Sequence, residues 1–487
     1  MRDIREVLAD LDADASMEAA RSFADLAAAY VAAARGGAGP VSTPCTPPQL
    51  AARFAEPMPE GGRPLAEVLA RVEHDVIAGA NRLCHPMAMG HQVSAPLPAA
   101  VWTDVVISAL NQSMAVWEMS PTATVLERQV VRWMTDAAGF GPAAGGTLTS
   151  GGTEATFTAL LAARAVALPD AWEHGVGANP PVVLCGAHAH YAVTRAVAEL
   201  GLGLRAALVV PSEGHRMSPR ALREMLDALA VEGRPVMAVV ATAGCTPTGA
   251  FDDLEAIGGL CEERGIWLHV DGAHGASALL SPTQAHRMRG VARARSLAWD
   301  PHKMLLLPLS AGMLLVRDAA ELESAFAQRA PYLFHGAGDG PRWDVGPRSF
   351  QCSRRADALK LWVALQRYGA DGLGLLYDHL CATTRRLHDA VRARSDFEAL
   401  HEPDANILCF RWRPAGARDD AALDALNGEL RARFNRGGAG WITTTVLDGR
   451  RVLRATVMNP LTRGEHVERL LDALTAEGEA LLAGVGE

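Results

Sequence analysis

From about residue 180 onward the chain alternates short apolar runs with helix-length amphipathic segments, and this alternation limits its fold more than any other feature. Residues 181–184, 204–210, 235–241, 266–271 and 296–299 read as strands, and residues 190–200, 219–229 and 252–264 read as the helices between them. Strands buried on both faces carry continuous apolar runs, and strands joined through helices of this length pair in parallel. The expectation is an α/β fold with a mostly parallel central sheet and helices on both faces. Residues 309–317 are expected to return antiparallel.

A chain of 487 residues exceeds one ordinary domain. Residues 1–95 read as a helical segment with too little apolar surface for a core of its own, suited to packing on a partner subunit. Residues 96–370 form the expected α/β domain, and 371–487 a smaller α+β domain with strand candidates at 407–412, 441–447 and 452–457. Residues 331–347, rich in Gly and Pro, are longer than a connector needs and suit a lid over a site.

Composition excludes some classes of function. A net charge of -9 argues against a general nucleic-acid or anionic-membrane binder. The first residues lack a signal-peptide core, and no apolar run approaches the roughly 20 residues of a membrane span. The eight cysteines form no CxxC pair, which argues against a zinc ribbon or disulfide scaffold and suits a cytoplasmic protein with reduced thiols. No metal site is expected.

Within the α/β region one residue type is conspicuously scarce. Of 46 basic residues only two are lysines, Lys303 and Lys360. A lysine amine can lose its proton and attack a carbonyl, whereas a guanidinium stays charged. A lysine kept amid so much arginine therefore suits a Schiff base, most economically with pyridoxal 5'-phosphate (PLP). The alternative is a drift in composition that spared two surface lysines. Lys360, in a run with apolar residues at helical spacing, reads as a solvated or snorkelling helix residue. Lys303, in Trp299-Asp300-Pro301-His302-Lys303-Met304, follows a strand end, where α/β proteins place their chemistry.

Three further features fit the same cofactor. Asp271 ends the strand 266–271 and would keep a pyridine nitrogen protonated, although a carboxylate there also serves as a helix cap. His190 opens the helix after a core strand and could stack on a ring. Among 16 histidines, a surface or core role is the ordinary alternative. Ser150-Gly151-Gly152-Thr153 runs into a helix, exposing backbone N–H groups to a phosphate, as an ordinary capped helix also does.

Together these motifs resemble the group II PLP-dependent amino acid decarboxylases, over roughly residues 80–470. The resemblance rests on His85-Pro86, Ser120-Pro121 with Glu127, Ser150 through Thr156, and His190 with Arg195-Ala196. It continues through His269 to Ala273, Pro301-His302-Lys303, Gln351-Cys352-Ser353-Arg354 and Leu453-Arg454. It implies the PLP-dependent transferase fold (fold type I) and a homodimer with shared active sites. It also implies conversion of an L-amino acid to its amine and CO₂. Lys303 would carry the cofactor, Asp271 would pair with its ring nitrogen and His190 would stack on the ring. Gly152, Thr153 and His302 would hold the phosphate, and Thr246 and Ala273 would line the ring. Arg454 would sit near the substrate carboxylate, and Tyr332 would return the proton to the substrate carbon.

The implied side-chain pocket, His91, Gln92, Ser94 and Ala115, lacks the aromatic wall of relatives acting on aromatic substrates. It leans toward an acidic or amine-bearing substrate. Asp300 departs from the Asn that several relatives carry near the phosphate. Two other readings use the same residues: decarboxylation coupled to oxidative deamination, giving an aldehyde, and a non-catalytic dimeric homologue.

Overall fold

The continuous apolar runs become the middle of a seven-stranded sheet. The computed structural model describes residues 3–43, 45–326, 343–416 and 419–484. In chain order the strands are β1 Gly145–Thr149, β2 Val182–Gly186, β3 Ala207–Val210, β4 Val236–Thr242, β5 Trp267–Asp271, β6 Ser296–Trp299 and β7 Gly312–Val316. Their spatial order is β1-β7-β6-β5-β4-β2-β3. Only β7 is reversed: it pairs antiparallel with both β6 and β1, while β2, β3, β4, β5 and β6 pair in parallel. Every residue of β2, β5, β6 and β7 is buried, as strands covered on both faces require.

The helix Gly152–Ala167 crosses β4 to β7. Its buried positions include Ala155, Ala159, Ala162 and Ala163, small residues that bring its axis close to the sheet. From β2 the chain steps outward to β3 and then returns to insert β4 on the other side of β2. Strand order therefore reverses between β2 and β4, where open α/β sheets place their ligands.

Several local expectations are corrected. Gly145–Thr149 is a strand, hidden in the sequence by two glycines and two threonines. The run 204–210 begins as a 3₁₀ turn, Leu204–Ala206, and only Ala207–Val210 joins the sheet. The helical run around Lys360 extends much further, as Ala358–Ala393 across a kink at Gly369, whose φ of 70° a side chain would resist. Lys360, on that helix, is not solvated: its side chain is 0% exposed. The proposed lid, 331–347, lies largely outside the described residues, and Tyr332 lies wholly outside them.

The chain divides into two compact units, Gln92–His388 with His401–Cys409, and Met1–His91 with Asp389–Leu400 and Phe410–Glu487. The first holds the seven-stranded sheet. The second holds the helices Ile4–Asp14 and Met17–Arg35 and the strands β8 Phe397–Ala399, β10 Thr443–Leu447 and β11 Arg450–Thr456. These strands belong to a four-stranded sheet completed by β9, Ile407–Trp412. Among the described residues no helix is long and apolar enough to cross a membrane.

Candidate active site

The parallel strands deliver chemical groups to one edge of the sheet. β1 leads through Ser150 and Gly151 to Gly152 at the helix N-terminus, and the residues after β2 carry His190. Thr242 ends β4 beside Asp271, its register partner at the end of β5. β6 runs into Asp300, His302 and Lys303. These ends surround a cavity of ≈ 340 Å³ that brings together Gly152, Thr153, His190, Thr246, Asp271, Ala273, His302 and Lys303.

Lys303 Nζ lies 2.9 Å from Asp300 Oδ2, and the Gly152 N–H donates to that same oxygen at 3.0 Å. Burial works against the lysine charge, but Asp300 and Asp271 outweigh it and hold the amine above its ordinary value. Asp300 is nearly inaccessible, and its Oδ1 has no hydrogen-bond partner among the described residues. Burial pushes the Asp271 carboxyl up, against the charge of Lys303 and a hydrogen bond from the Ala273 N–H at 3.2 Å. A carboxylate so desolvated gains most from a cation placed against it.

The two histidines are held neutral and oriented. Burial lowers His190, outweighing Asp271, and its Nδ1 accepts the Ala192 N–H at 3.2 Å. Burial likewise lowers His302, whose Nδ1 accepts the Ala311 N–H at 3.1 Å. Both rings therefore carry their proton on Nε2.

Other motif residues brace this edge. Ser150 donates its N–H and hydroxyl to Glu154 Oε2 at 2.8 and 2.7 Å, and Gln351 Nε2 reaches the same oxygen at 2.7 Å. Arg354 and Glu127 form a buried pair, with Nη1 donating to Oε2 at 2.8 Å.

The site fits PLP on its own features. A Cβ at Gly152 would fall 2.7 Å from the Ala273 Cβ, so only glycine lets the helix start come so close to the cavity floor. Thr242 lines the cavity and is buried, with no hydrogen-bond partner for its hydroxyl among the described residues.

A family model described as "Pyridoxal-dependent decarboxylase conserved domain" matches residues 47–413. The chain belongs to the pyridoxal-dependent decarboxylases. PLP is the cofactor of this enzyme, and the enzyme is an amino acid carboxy-lyase. It is 37% identical to L-2,4-diaminobutyrate decarboxylase of Rhizobium meliloti (strain 1021), over 86% of this chain and 83% of that one. It is 35% identical to cysteine sulfinic acid decarboxylase of Rattus norvegicus, over 82% of this chain and 83% of that one. The structure of Oryza sativa TDC with PLP and tryptamine superposes with a TM-score of 0.89 at 26% identity, covering 96% of this chain and 99% of that one.

The expected substrate residues of this decarboxylase fall in different places. Ser94 is buried in the sheet-bearing unit, where its hydroxyl donates to the carbonyls of His302 and Leu307 at 3.1 and 3.4 Å, below the lysine turn. Gln92 belongs to the same unit and is half-buried. His91 and Arg454 belong to the other unit. There the His91 ring packs edge-on against Trp441, and burial followed by the charges of Arg454 and Arg431 lowers its proton affinity. Thr242, Gly244, His274 and Leu309 line the cavity without having been singled out. Thr242 could have been found by extending the strand 235–241 by one residue, using the strand-end rule that picked Asp271.

Proposed function

We propose that this decarboxylase converts an L-amino acid with a short side chain ending in an amine or an acid to the corresponding amine and CO₂, working from Lys303. One observation carries the assignment of roles. The Lys303 amine and the Asp271 carboxylate stand at adjacent strand ends and open on the same cavity as the Gly152 N–H.

When bound, PLP supplies a carbonyl for the amine to attack and a ring that accepts the electron pair left when CO₂ departs. The residues do the rest. Asp300, 2.9 Å from Nζ, orients the lysine amine and raises its proton affinity until the cofactor is captured. Asp271 would keep a proton on the ring nitrogen, and that cation would offset the cost of burying the carboxylate. His190, which lines the cavity, would stack on the ring. The Gly152 N–H, the Thr153 hydroxyl and His302 Nε2 would hold the phosphate at the positive end of the helix dipole, and Thr246 and Ala273 would line the ring. His91, Gln92, Ser94 and Arg454 serve the substrate, with Arg454 toward its carboxylate. Tyr332 returns the proton to Cα.

The polar character of Gln92 and His91, and the names of the diaminobutyrate and cysteine sulfinic acid relatives, support the substrate class. A homodimer with shared sites is part of the same reading. On the helix Ile4–Asp14 no residue is buried, and Ile4, Val7, Leu8 and Leu11 form an uncovered apolar stripe at helical spacing. No disulfide joins the eight cysteines among the described residues, which suits the cytoplasm.

The test is a panel of 2,4-diaminobutyrate, aspartate, cysteine sulfinate, glutamate, lysine, ornithine and the aromatic amino acids. Each is incubated with the PLP-loaded protein and its products are identified by mass spectrometry. An amine from one of the first three is expected. A preference for an aromatic substrate would contradict the substrate class, and an aldehyde product would replace simple decarboxylation with the oxidative reading.

A further inference from the structure

The second lysine has an environment of its own. The Lys360 side chain is 0% exposed, its Nζ 3.0 Å from Asp357 Oδ1 and 3.7 Å from Asp104 Oδ1. The same ammonium donates to the carbonyls of Ser310 at 2.7 Å and Pro308 at 3.4 Å. Those carbonyls flank Leu309, which lines the cavity beside Lys303 while remaining 59% exposed.

The turn that Lys360 grips is a demanding one. Leu306 has a φ of 57°, a left-handed conformation that a branched side chain adopts only when its surroundings impose it. Leu97 N–H holds the Leu306 carbonyl at 2.8 Å, and the backbones of His302 and Ala311 are tied by the His302 N–H to the Ala311 carbonyl at 3.1 Å. The Ala311 N–H in turn fixes His302 Nδ1. Between these ties lies the arc 308–310, and the side chain that anchors it is Lys360.

We propose that Lys360 is a positioning residue for the active site. Its ammonium holds the two carbonyls around Leu309 and so sets the cavity wall next to Lys303 and, through Ala311, the orientation of His302. The inference rests on the cavity being the decarboxylase site. It also accounts for a lysine in a chain that otherwise uses arginine. A compact ammonium donates to Ser310 and Pro308 from one point while its charge faces Asp357. A planar guanidinium is larger and spreads its donors in a plane.

The experiment compares Lys360→Met, Lys360→Arg and Leu309→Ala with the parent enzyme, all loaded with PLP. Borohydride trapping on Lys303 and the visible absorbance of the bound cofactor check the underlying site assignment. Failure of trapping in the parent enzyme would remove that assignment and not only the role of Lys360. With trapping intact, both Lys360 variants are expected to raise KM about tenfold or more while kcat falls less than threefold. A purely structural lysine would lower thermal stability and leave KM where it was. Leu309→Ala, at an exposed position and so expected to fold, should raise KM in the same direction with unchanged Tm. That variant keeps the test alive if the lysine variants do not fold. A parental KM in Leu309→Ala, or in either folded Lys360 variant, would overturn the proposal.

Discussion

The chain's two lysines stand in closely matched local frames and come to opposite ends. Each has an aspartate three residues earlier, Asp300 at 2.9 Å from Lys303 and Asp357 at 3.0 Å from Lys360. Lys303 follows a strand end, and its side chain keeps 22% exposure toward the cavity. Lys360 lies within the helix Ala358–Ala393, sealed off, with its donors taken up by backbone carbonyls. An amine with an open side is a nucleophile in waiting. An amine enclosed by acceptors is a fastener. The difference lies in what surrounds the nitrogen and not in residue type or in the neighbouring aspartate.

Removing the nucleophile should have the largest effect. Lys303→Ala is expected to abolish the visible absorbance of bound cofactor and to lower turnover on the order of 10⁴–10⁶-fold, the scale seen when a covalent nucleophile is lost. Lys360→Met should retain the absorbance. If it lost the absorbance as completely as Lys303→Ala, the contrast would collapse.

Stability should rank the two the other way round. Breaking a buried ion pair by removing one partner costs about 3–5 kcal/mol, and Lys360→Met leaves Asp357 and two carbonyls without their cation. Lys303→Ala also strips the cation from Asp300, but it opens onto a cavity that water can fill and breaks no bond to a backbone carbonyl, so it should cost less. Denaturant midpoints with unchanged m-values would measure both, and an equal loss in the two variants would contradict the fastener reading.

A smaller effect concerns the paired aspartates. Burial works against the Lys303 charge, and Asp300 is the leading group that raises its proton affinity back above the ordinary value. Asp300→Asn leaves burial opposed by Asp271 alone, so the amine should lose its proton at lower pH. The pH profile for PLP capture by the cofactor-free protein should therefore shift downward. Asp357→Asn, acting on a lysine that captures nothing, should leave that profile in place. An upward shift in Asp300→Asn would reverse the assigned role.

The smallest effect separates this chemistry from general acid sensitivity. His269 on β5 is fully buried, and burial pushes its imidazole down to about 3. The unfolded chain takes up a proton near pH 6.5 that the folded chain refuses. The stability His269 permits is therefore present above that pH and lost as pH falls from 6.5 toward 3, by at most about 1.4 kcal/mol per pH unit. His269→Gln should flatten that slope between pH 6 and 4 relative to the parent. An unchanged slope would mean that His269 is not the group responsible.

What could be read from the sequence, and what could not, divides along the same line as the two lysines. The parallel sheet and the positions of His190, Asp271 and Lys303 after strands followed from apolar runs and the rule that chemistry sits at their C-terminal edge, while Gly152 followed from a glycine turn at a helix start. Strand periodicity is a local signal, and so is the residue that ends a strand. The burial of Lys360 was misread because its partners are backbone carbonyls about 50 residues away, which leave no trace in side-chain pattern. The strand Gly145–Thr149 was missed for a related reason: its place at the sheet edge beside β7, and not its composition, makes it a strand. The bonds from the Ser94 hydroxyl to the carbonyls of the lysine turn were equally invisible, a tertiary relation spanning more than 200 residues.

The most direct measurement is borohydride reduction of the PLP-loaded enzyme, followed by proteolysis and mass mapping of the pyridoxyl label. With only two lysines in the chain, the outcome is a choice between two peptides. The account predicts the label on the peptide containing Lys303 and none on the peptide containing Lys360. A label on Lys360, or a coloured enzyme with neither lysine labelled, would contradict it.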